Sequence, residues 1–451
     1  MRFRHIVVLL VLFRIGLLAY FVLTEGKYLY PDSPMYLALA ENLIKHHVFS
    51  LSATEPFIPH VFRTPGYPVF LAIFNFLGVE NPYLIVLVQE IIYAATIVGF
   101  YFLSRGLFDR NMIRGGLIFL LLEPGGLTYP KLLLSEVLFF PALVFGVLLI
   151  GQYLRRNRLW YLIIAGFIMG LGALVRPGMI YLPVILAMIL IAFNFRQKKT
   201  WLHAITLVII FGIVITPWLV RNHYHFNKFM LSGIQGYTLA NYHVPMVWEL
   251  FKGLPQAESQ NIIQGKVDTE KQQLEKTLGR PASAADVFHL QQKVAVKELL
   301  KMPGAYSVAW LYGMLKTMNG PNIIELYDIL SINPDRPRLF QIISEQGWTG
   351  VFYYLVKTDL LFLLNSILTI LMTGLALLGA ISILKSKDAF LWVMMLSNFY
   401  FIASAGPMGE ARFRFPVGLF WFIQAYLGWR FLVAVLQHWR HGFFLKAEAV
   451  K

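Results

Sequence analysis

Cysteine is absent from the 451-residue chain, which excludes disulfides, thiolate nucleophiles and Cys-ligated metals and leaves the redox compartment open. Charge is scarce as well: Asp, Glu, Lys and Arg make up 14% of the residues, against 57% hydrophobic and 15% aromatic. That is more apolar surface than a soluble core of this length needs, and it describes a polytopic membrane protein. No Walker-type loop, dinucleotide fingerprint or Gly-x-Ser-x-Gly elbow is present, which argues against ATP-driven transport and serine hydrolysis. Internal repeats, low-complexity runs and heptad seams are also missing, as is the two-half repeat of many secondary transporters.

The formal charge of +15 would suggest nucleic acid in a soluble protein, but here Lys and Arg cluster in short tracts between apolar runs. Cytoplasmic loops have that pattern; a nucleic-acid-binding face does not. About ten runs reach spanning length: near 5–23, 83–104, 112–127, 131–151, 160–176, 178–194, 201–219, 359–384, 389–405 and 415–437. The basic start followed by an apolar run resembles a secretion signal, but no small-residue cleavage site follows, so it is expected to stay as the first membrane helix, with Arg14 snorkelling or facing the bundle interior. Threading the runs from a cytoplasmic N-terminus puts "SRGLFDRN", "YLRRNRLW", "FRQKKT", "LKSKDA" and the tail "QHWRHGFFLKAEAVK" on one side, and all are basic. That side is read as cytoplasmic, with both termini there. Residues 24–82, 123–131, 220–358 and "SAGPMGEARFR" then face outward with most of the acids and prolines. The expected fold is all-α and polytopic, with a small helical cap.

In the first outer loop, "YPDSPMYLALAENL", Pro34 opens an amphipathic segment with Tyr36, Leu37, Ala40, Leu43 and Ile44 on one side and Glu41, Asn42 and Lys45 on the other. Asp32 falls just before that helix, where it is either an N-cap or a functional carboxylate. In "FRTPGYPVF", Arg63 stands beside stiffening prolines, suited to bidentate binding of a phosphate or to lipid headgroups. Glu136 lies one turn into an apolar run behind Lys131 and Ser135; it faces a polar cavity or pairs with Lys131.

Arg221, Asn222 and His223 end another run, and "GPMGEARFRFPVG" places Glu410, Arg412 and Arg414 before the last one. The alternating arginines could grip a phosphate or diphosphate, or pair with Glu410. His223, His225 and His243 lack zinc-type spacing and are assigned to hydrogen bonding. Glu90, mid-run, is the carboxylate a proton-coupled transporter would want.

Asp32 with "SPMYLALAENL", then "FRTPGYPVFLAI", "TYPKLLLSEVLF", "GLGALVRPG", "TPWLVRNHYHFNKF" with "GYTLANY", and "RFRFPVG" in this order resemble the C-type membrane glycosyltransferases of the protein O-mannosyltransferase and lipid A aminoarabinose transferase type. The resemblance covers most of the chain. It implies an enzyme that moves a sugar from a polyprenyl-phosphate donor to an envelope glycan, lipid or protein on the outer face, with inversion. Asp32 matches the catalytic base, Glu136 a second acidic position and Arg63 a residue that holds the carrier phosphate. Lys131, Arg221, Arg412 and Arg414 would be further phosphate or donor ligands, and Tyr36, Tyr67, His223 and Glu410 would line the acceptor side. Ser33 replaces the second acid of protein O-mannosyltransferases, which argues against Ser or Thr of proteins as acceptor. Arg63 replaces the Lys of the aminoarabinose transferases.

A polyprenyl phosphate is a good leaving group, so one base suffices. No cofactor is implied, and a divalent metal, though compatible, is not indicated, because Asp32 and Glu136 lack further close carboxylates. The partners expected are the lipid-linked donor, the acceptor and the cell-membrane bilayer, with no nucleic acid. The chain divides into a transmembrane module at 1–219, a cap at 220–358 and C-terminal helices with a basic tail at 359–451. The competing readings are a transporter or flippase for a lipid-linked glycan, which would spread polar groups through mid-helix, and a non-catalytic subunit indifferent to Asp32→Asn.

Overall fold

The computed structural model describes residues 3–332 and 351–448, without the side chains of 439–448. The stretch 333–350 of the expected cap and the end of the basic tail lie outside the described residues. Among those described the chain is helical, with two isolated bridges and no strand.

Each apolar run becomes a helix: α1 (Phe3–Leu23), α4 (Pro82–Leu103), α5 (Arg110–Leu122), α7 (Glu136–Arg156), α8 (Trp160–Val175), α9 (Leu182–Phe193), α10 (Lys198–Phe226), α17 (Leu360–Leu384), α18 (Ala389–Ser404) and α19 (Gly418–Glu448). Among the described residues six stretches are long and apolar enough to cross a membrane; Gly66–Phe76, α8, Pro177–Phe193 and α18 are shorter apolar helices. Two boundaries differ from expectation. The run 112–127 breaks at Pro124 into α5 and the short α6 (Pro124–Thr128), with the Glu123 carboxylate accepting from Gly126 N–H. The chain is irregular from Leu132 to Leu134, so α7 opens on Glu136 itself.

The first loop, where amphipathic interfacial helices are expected, folds as α2 (Ser33–Lys45) packed on α3 (Gly66–Phe76), which is apolar. Tyr36, Leu39 and Ala40 of α2 are buried, while Glu41 and Lys45 form an exposed ion pair. Asn42 departs from the expected polar face: it is buried and donates to the carbonyls of Ser50 and Ser52, pinning the loop that follows.

Helix α7 is the spine, buried from Glu136 to Tyr153 at most positions. Helices α8 and α10 approach closely because Gly166 and Gly170 of α8 face Leu207, Ile210 and Val214, where a Cβ would collide. Small residues allow such backbone contact where lipid gives no hydrophobic drive. Charge inside the bundle is paired: Glu90 of α4 accepts from Arg14 of α1 at 2.9 Å and from Lys131 at 2.6 Å. Arg14 thus faces inward.

From α10 the chain runs through α11 (Ile234–Thr238), α12 (Val244–Lys252), α13 (Gln256–Leu278), α14 (Ala284–Leu299), α15 (Pro303–Asn319) and α16 (Ile323–Ile329). These are the polar and aromatic helices expected of the cap, and α14 begins in a capping box of Ser283 and Asp286. Their own core gathers Val247, Trp248, Ile263, Val267, Leu290 and Val294.

Candidate functional site

Four expected residues converge at the end of the bundle facing α11–α15. Asp32 precedes α2, yet its side chain caps nothing. Its Oδ1 accepts from Arg63 Nη2 at 2.6 Å and its Oδ2 from Arg412 Nη2 at 3.0 Å. The Nε of Arg412 donates to Glu136 Oε1, and Arg176 Nη1 lies 2.5 Å from the same oxygen. Three guanidiniums and two carboxylates therefore form one chain of ion pairs, Arg63–Asp32–Arg412–Glu136–Arg176.

Local backbone explains the meeting. Pro31 and Pro34 bracket Asp32, and Pro65 follows Arg63 closely and opens α3. Arg412 hangs from the turn after α18, where Gly406 and Gly409 have φ of 59° and 43° and press on Gly313 of α15, a space no side chain could share. Aromatic faces fix the guanidiniums: Arg63 lies 5.1 Å from the Tyr36 ring and 4.9 Å from that of Phe62, and Arg412 lies 4.8 Å from Tyr30. Behind them the Tyr36 hydroxyl is 3.2 Å from Ser135 Oγ, and Tyr67 meets Tyr36 edge-on at 4.9 Å. Fully buried Tyr67 donates to Gln89 at 2.7 Å, and Gln89 in turn holds the carbonyls of Pro130 and Leu132.

Arg63, Arg176, Arg412, Tyr36 and Ser135 line one wall of a cavity of about 1060 Å³. Asp32 and Glu136 stand behind the guanidiniums rather than on that lining; the Asp32 side chain keeps 26% of its surface and Glu136 only 1%. Burial alone would raise the pKa of Asp32, but Arg63 and then Arg412 outweigh it and hold the carboxyl below its ordinary value. The remaining walls come from 228–243, α14 and α15, with Ile180, Tyr181, Tyr400 and Phe401 on the bundle side.

Other expected residues lie elsewhere. Lys131 is buried against Glu90 and the Leu127 carbonyl. Arg221 donates to the carbonyls of His60 and Phe49 and tethers the first loop. Arg414 is turned from Arg412 because 411–417 is a 3₁₀ helix, whose residues two apart point in different directions. It binds the carbonyls of Thr317, Met318 and Gly320 at the end of α15, so the expected paired grip does not form, and neither arginine pairs with Glu410. Glu410 is half-buried and starts that 3₁₀ turn. His223 stacks on Phe229 at 4.1 Å.

Arg176 was missed as a site residue, although its sequence signal matches that of Glu136: an ionisable group at the end of an apolar run, held by Pro177. Among the described residues no three His, Asp or Glu side chains come together. With three guanidiniums to two carboxylates, the ion-pair chain carries a net positive charge that suits an anionic ligand.

Residues 62–220 match the sequence profile of the family described as dolichyl-phosphate-mannose-protein mannosyltransferase. In fold, the chain is similar to the oligosaccharyltransferase of Archaeoglobus fulgidus in its apo form, with 14% identity over 98% of this chain and 51% of that one and a TM-score of 0.52. It also matches ArnT from Cupriavidus metallidurans, in the apo state (13% identity, 94% of this chain and 77% of that one, TM-score 0.41) and bound to undecaprenyl phosphate (12%, 94% and 77%, TM-score 0.39). The chain spans about half the length of the archaeal oligosaccharyltransferase. No curated protein matches it in sequence. The chain is thus a helical, multi-pass membrane protein whose fold is similar to that of the archaeal oligosaccharyltransferase.

Proposed function

We propose that this protein transfers a sugar from a polyprenyl-phosphate carrier to an acceptor hydroxyl at the cavity, with inversion and with Asp32 as general base. The observation that carries this reading is the net charge of the ion-pair chain: three arginines against two carboxylates leave +1, which matches the single negative charge of a phosphodiester. Arg63, Arg176 and Arg412 bind the phosphate, and Glu136 holds Arg176 and Arg412 in place from behind. Engagement by phosphate draws Arg63 and Arg412 from Asp32 and frees a lone pair for the acceptor.

The acceptor oxygen then attacks the anomeric carbon, the bond from that carbon to the phosphate oxygen breaks, and the acceptor proton passes to Asp32. The leaving phosphate monoester carries −2, Asp32 becomes neutral, and the site stays balanced throughout. Fixed guanidiniums stabilise the charge growing on the leaving oxygen without reorganisation. The profile matched by residues 62–220 belongs to a family named for a dolichyl-phosphate sugar, which supports this donor class.

In this reading the described part of 220–358 roofs the cavity, and the lipid chain enters from the bilayer beside Tyr181. The site faces away from the cytoplasm, in keeping with the basic loops Arg105–Arg110, Arg155–Arg158 and Lys385–Lys387 at the opposite end.

Membranes carrying wild type or Asp32→Asn, given a panel of radiolabelled polyprenyl-phosphate sugars and envelope extract, test the proposal. Transfer by wild type, lost in a folded Asp32→Asn, is expected. Equal transfer by both removes the base from Asp32, and none by either across the panel favours a carrier that moves lipid-linked glycan without cleaving it.

A further inference from the structure

The three arginines occupy one end of the cavity, and the other end has a different chemistry. From the rings of Phe62 and Phe288, which lie 5.6 Å apart, the walls continue through Gln235, His243, Gln292 and Tyr306. Among the described residues that line the cavity no Asp or Glu occurs, and Lys228, the cation of this end, is 3.3 Å from Asp286. His243 is neutral at pH 7, since burial lowers its pKa to about 4. Its Nδ1 is 3.2 Å from the Tyr306 hydroxyl, and its buried Nε2 has no partner. Among the described residues the amides of Gln235 and Gln292 have no protein hydrogen-bond partner, and each offers two donors and an acceptor.

We infer that this end is a subsite for a neutral saccharide acceptor, a reading that rests on the proposed glycosyl transfer. Neutral amides beside aromatic faces suit paired hydroxyls and the apolar faces of sugar rings. A phosphorylated lipid headgroup would need cations, and here the lysine already has its counter-ion. A peptide that binds by strand addition would need a strand edge to join, and none occurs among the described residues. The volume of about 1060 Å³ lies at the upper limit of pockets for drug-sized ligands, which leaves room for an acceptor ring beyond the donor phosphate and sugar. The acceptor sugar then presents its hydroxyl toward Asp32 while its far side lies on Gln235 and Gln292.

The test uses the full chain in lipid nanodiscs, with saturation-transfer NMR titrations of manno-, galacto-, chito- and arabinotriose. At least one trisaccharide is expected to bind wild type, and to lose about tenfold in affinity in Gln292→Ala and in Gln235→Ala, the loss of a well-made polar contact. Both glutamines border the cavity without protein partners, so these variants keep the fold. No binding by any trisaccharide, affinity unchanged from wild type in both variants, or displacement only by a Ser-containing peptide or by phosphatidylglycerol overturns the inference. Undecaprenyl phosphate binding, read by tryptophan fluorescence, separates the two levels. If it persists and weakens in Arg63→Ala while trisaccharides fail, the subsite is wrong and glycosyl transfer stands; if it is absent as well, the transfer reading fails with it.

Discussion

Arg412 Nη2 donates to Asp32 Oδ2 at 3.0 Å across 380 positions of sequence, joining the turn before the last helix to the turn after the first. A single planar fork meets two carboxylates, since the Nε of the same guanidinium serves Glu136. The contact closes the bundle and sets the charge of the site at once.

The fork geometry predicts that Arg412→Lys is not a conservative change. An ammonium keeps the charge but cannot bond Asp32 and Glu136 from two fixed nitrogens. The expected result is a fall in kcat/KM of about a hundredfold or more, in line with the loss of a preorganised charge stabiliser. Arg412→Met should also cost about 3–5 kcal/mol of stability, because it leaves two carboxylates with one partner fewer in a buried place. Thermal unfolding and transfer assays on the same preparations separate the two effects.

The lowered pKa of Asp32 gives a pH prediction. Its burial opposes ionisation, but Arg63 and Arg412 prevail, so the carboxylate proposed as the base is charged at neutral pH and is protonated only as pH falls below the ordinary carboxylate range. The acid limb of kcat/KM, which reports the free enzyme, should therefore lie below the ordinary carboxylate range. Because the folded pKa lies below the unfolded one, the stability that Asp32 contributes is present above the unfolded value and drains away as pH drops through the folded one. Arg63→Gln removes the larger attractive charge and should move the limb upward; an unmoved limb would assign it to another group.

Much of this site was legible because ionisable residues at the ends of apolar runs demand a reason. Glu136 was singled out on that ground, whereas Asp32 and Arg63 stood open between N-cap or lipid-headgroup roles and a site role until the family resemblance was added; helix periodicity located α2 and α14. Where the chain leaves regular geometry, sequence neighbours stop being spatial neighbours. Lys131 was grouped with Ser135 and Glu136, but extended backbone at Leu132 turns it back toward Glu90. Arg412 and Arg414 looked like a pair in an alternating stretch and are parted by a 3₁₀ turn. No local signal tells that Asn42 would face inward, since its partners, the carbonyls of Ser50 and Ser52, belong to an irregular loop.

Glu136→Gln separates a positioning role from direct contact with substrate. The side chain is buried behind Arg176 and Arg412 and off the cavity lining, so its neutral isostere should loosen both arginines. The expected outcome is a donor KM raised about tenfold or more, with acceptor KM unchanged. A shift in acceptor KM alone would instead place Glu136 on the acceptor.

Glu90 decides between the enzyme and a proton-coupled carrier. Its carboxylate accepts from Arg14 and Lys131, and none of the three lines the cavity. A carrier that used Glu90 for proton coupling would lose function in Glu90→Gln even when fully folded. For a glycosyltransferase the triad is structural: Glu90→Gln leaves two buried cations without a counter-charge and should cost about 3–5 kcal/mol of stability. Transfer per folded molecule, measured well below the lowered unfolding temperature, should then remain within about twofold of wild type, because uniform destabilisation leaves the Arg63–Asp32–Arg412 geometry intact. Loss of all activity in a well-folded Glu90→Gln would move the functional centre from the cavity to the bundle interior.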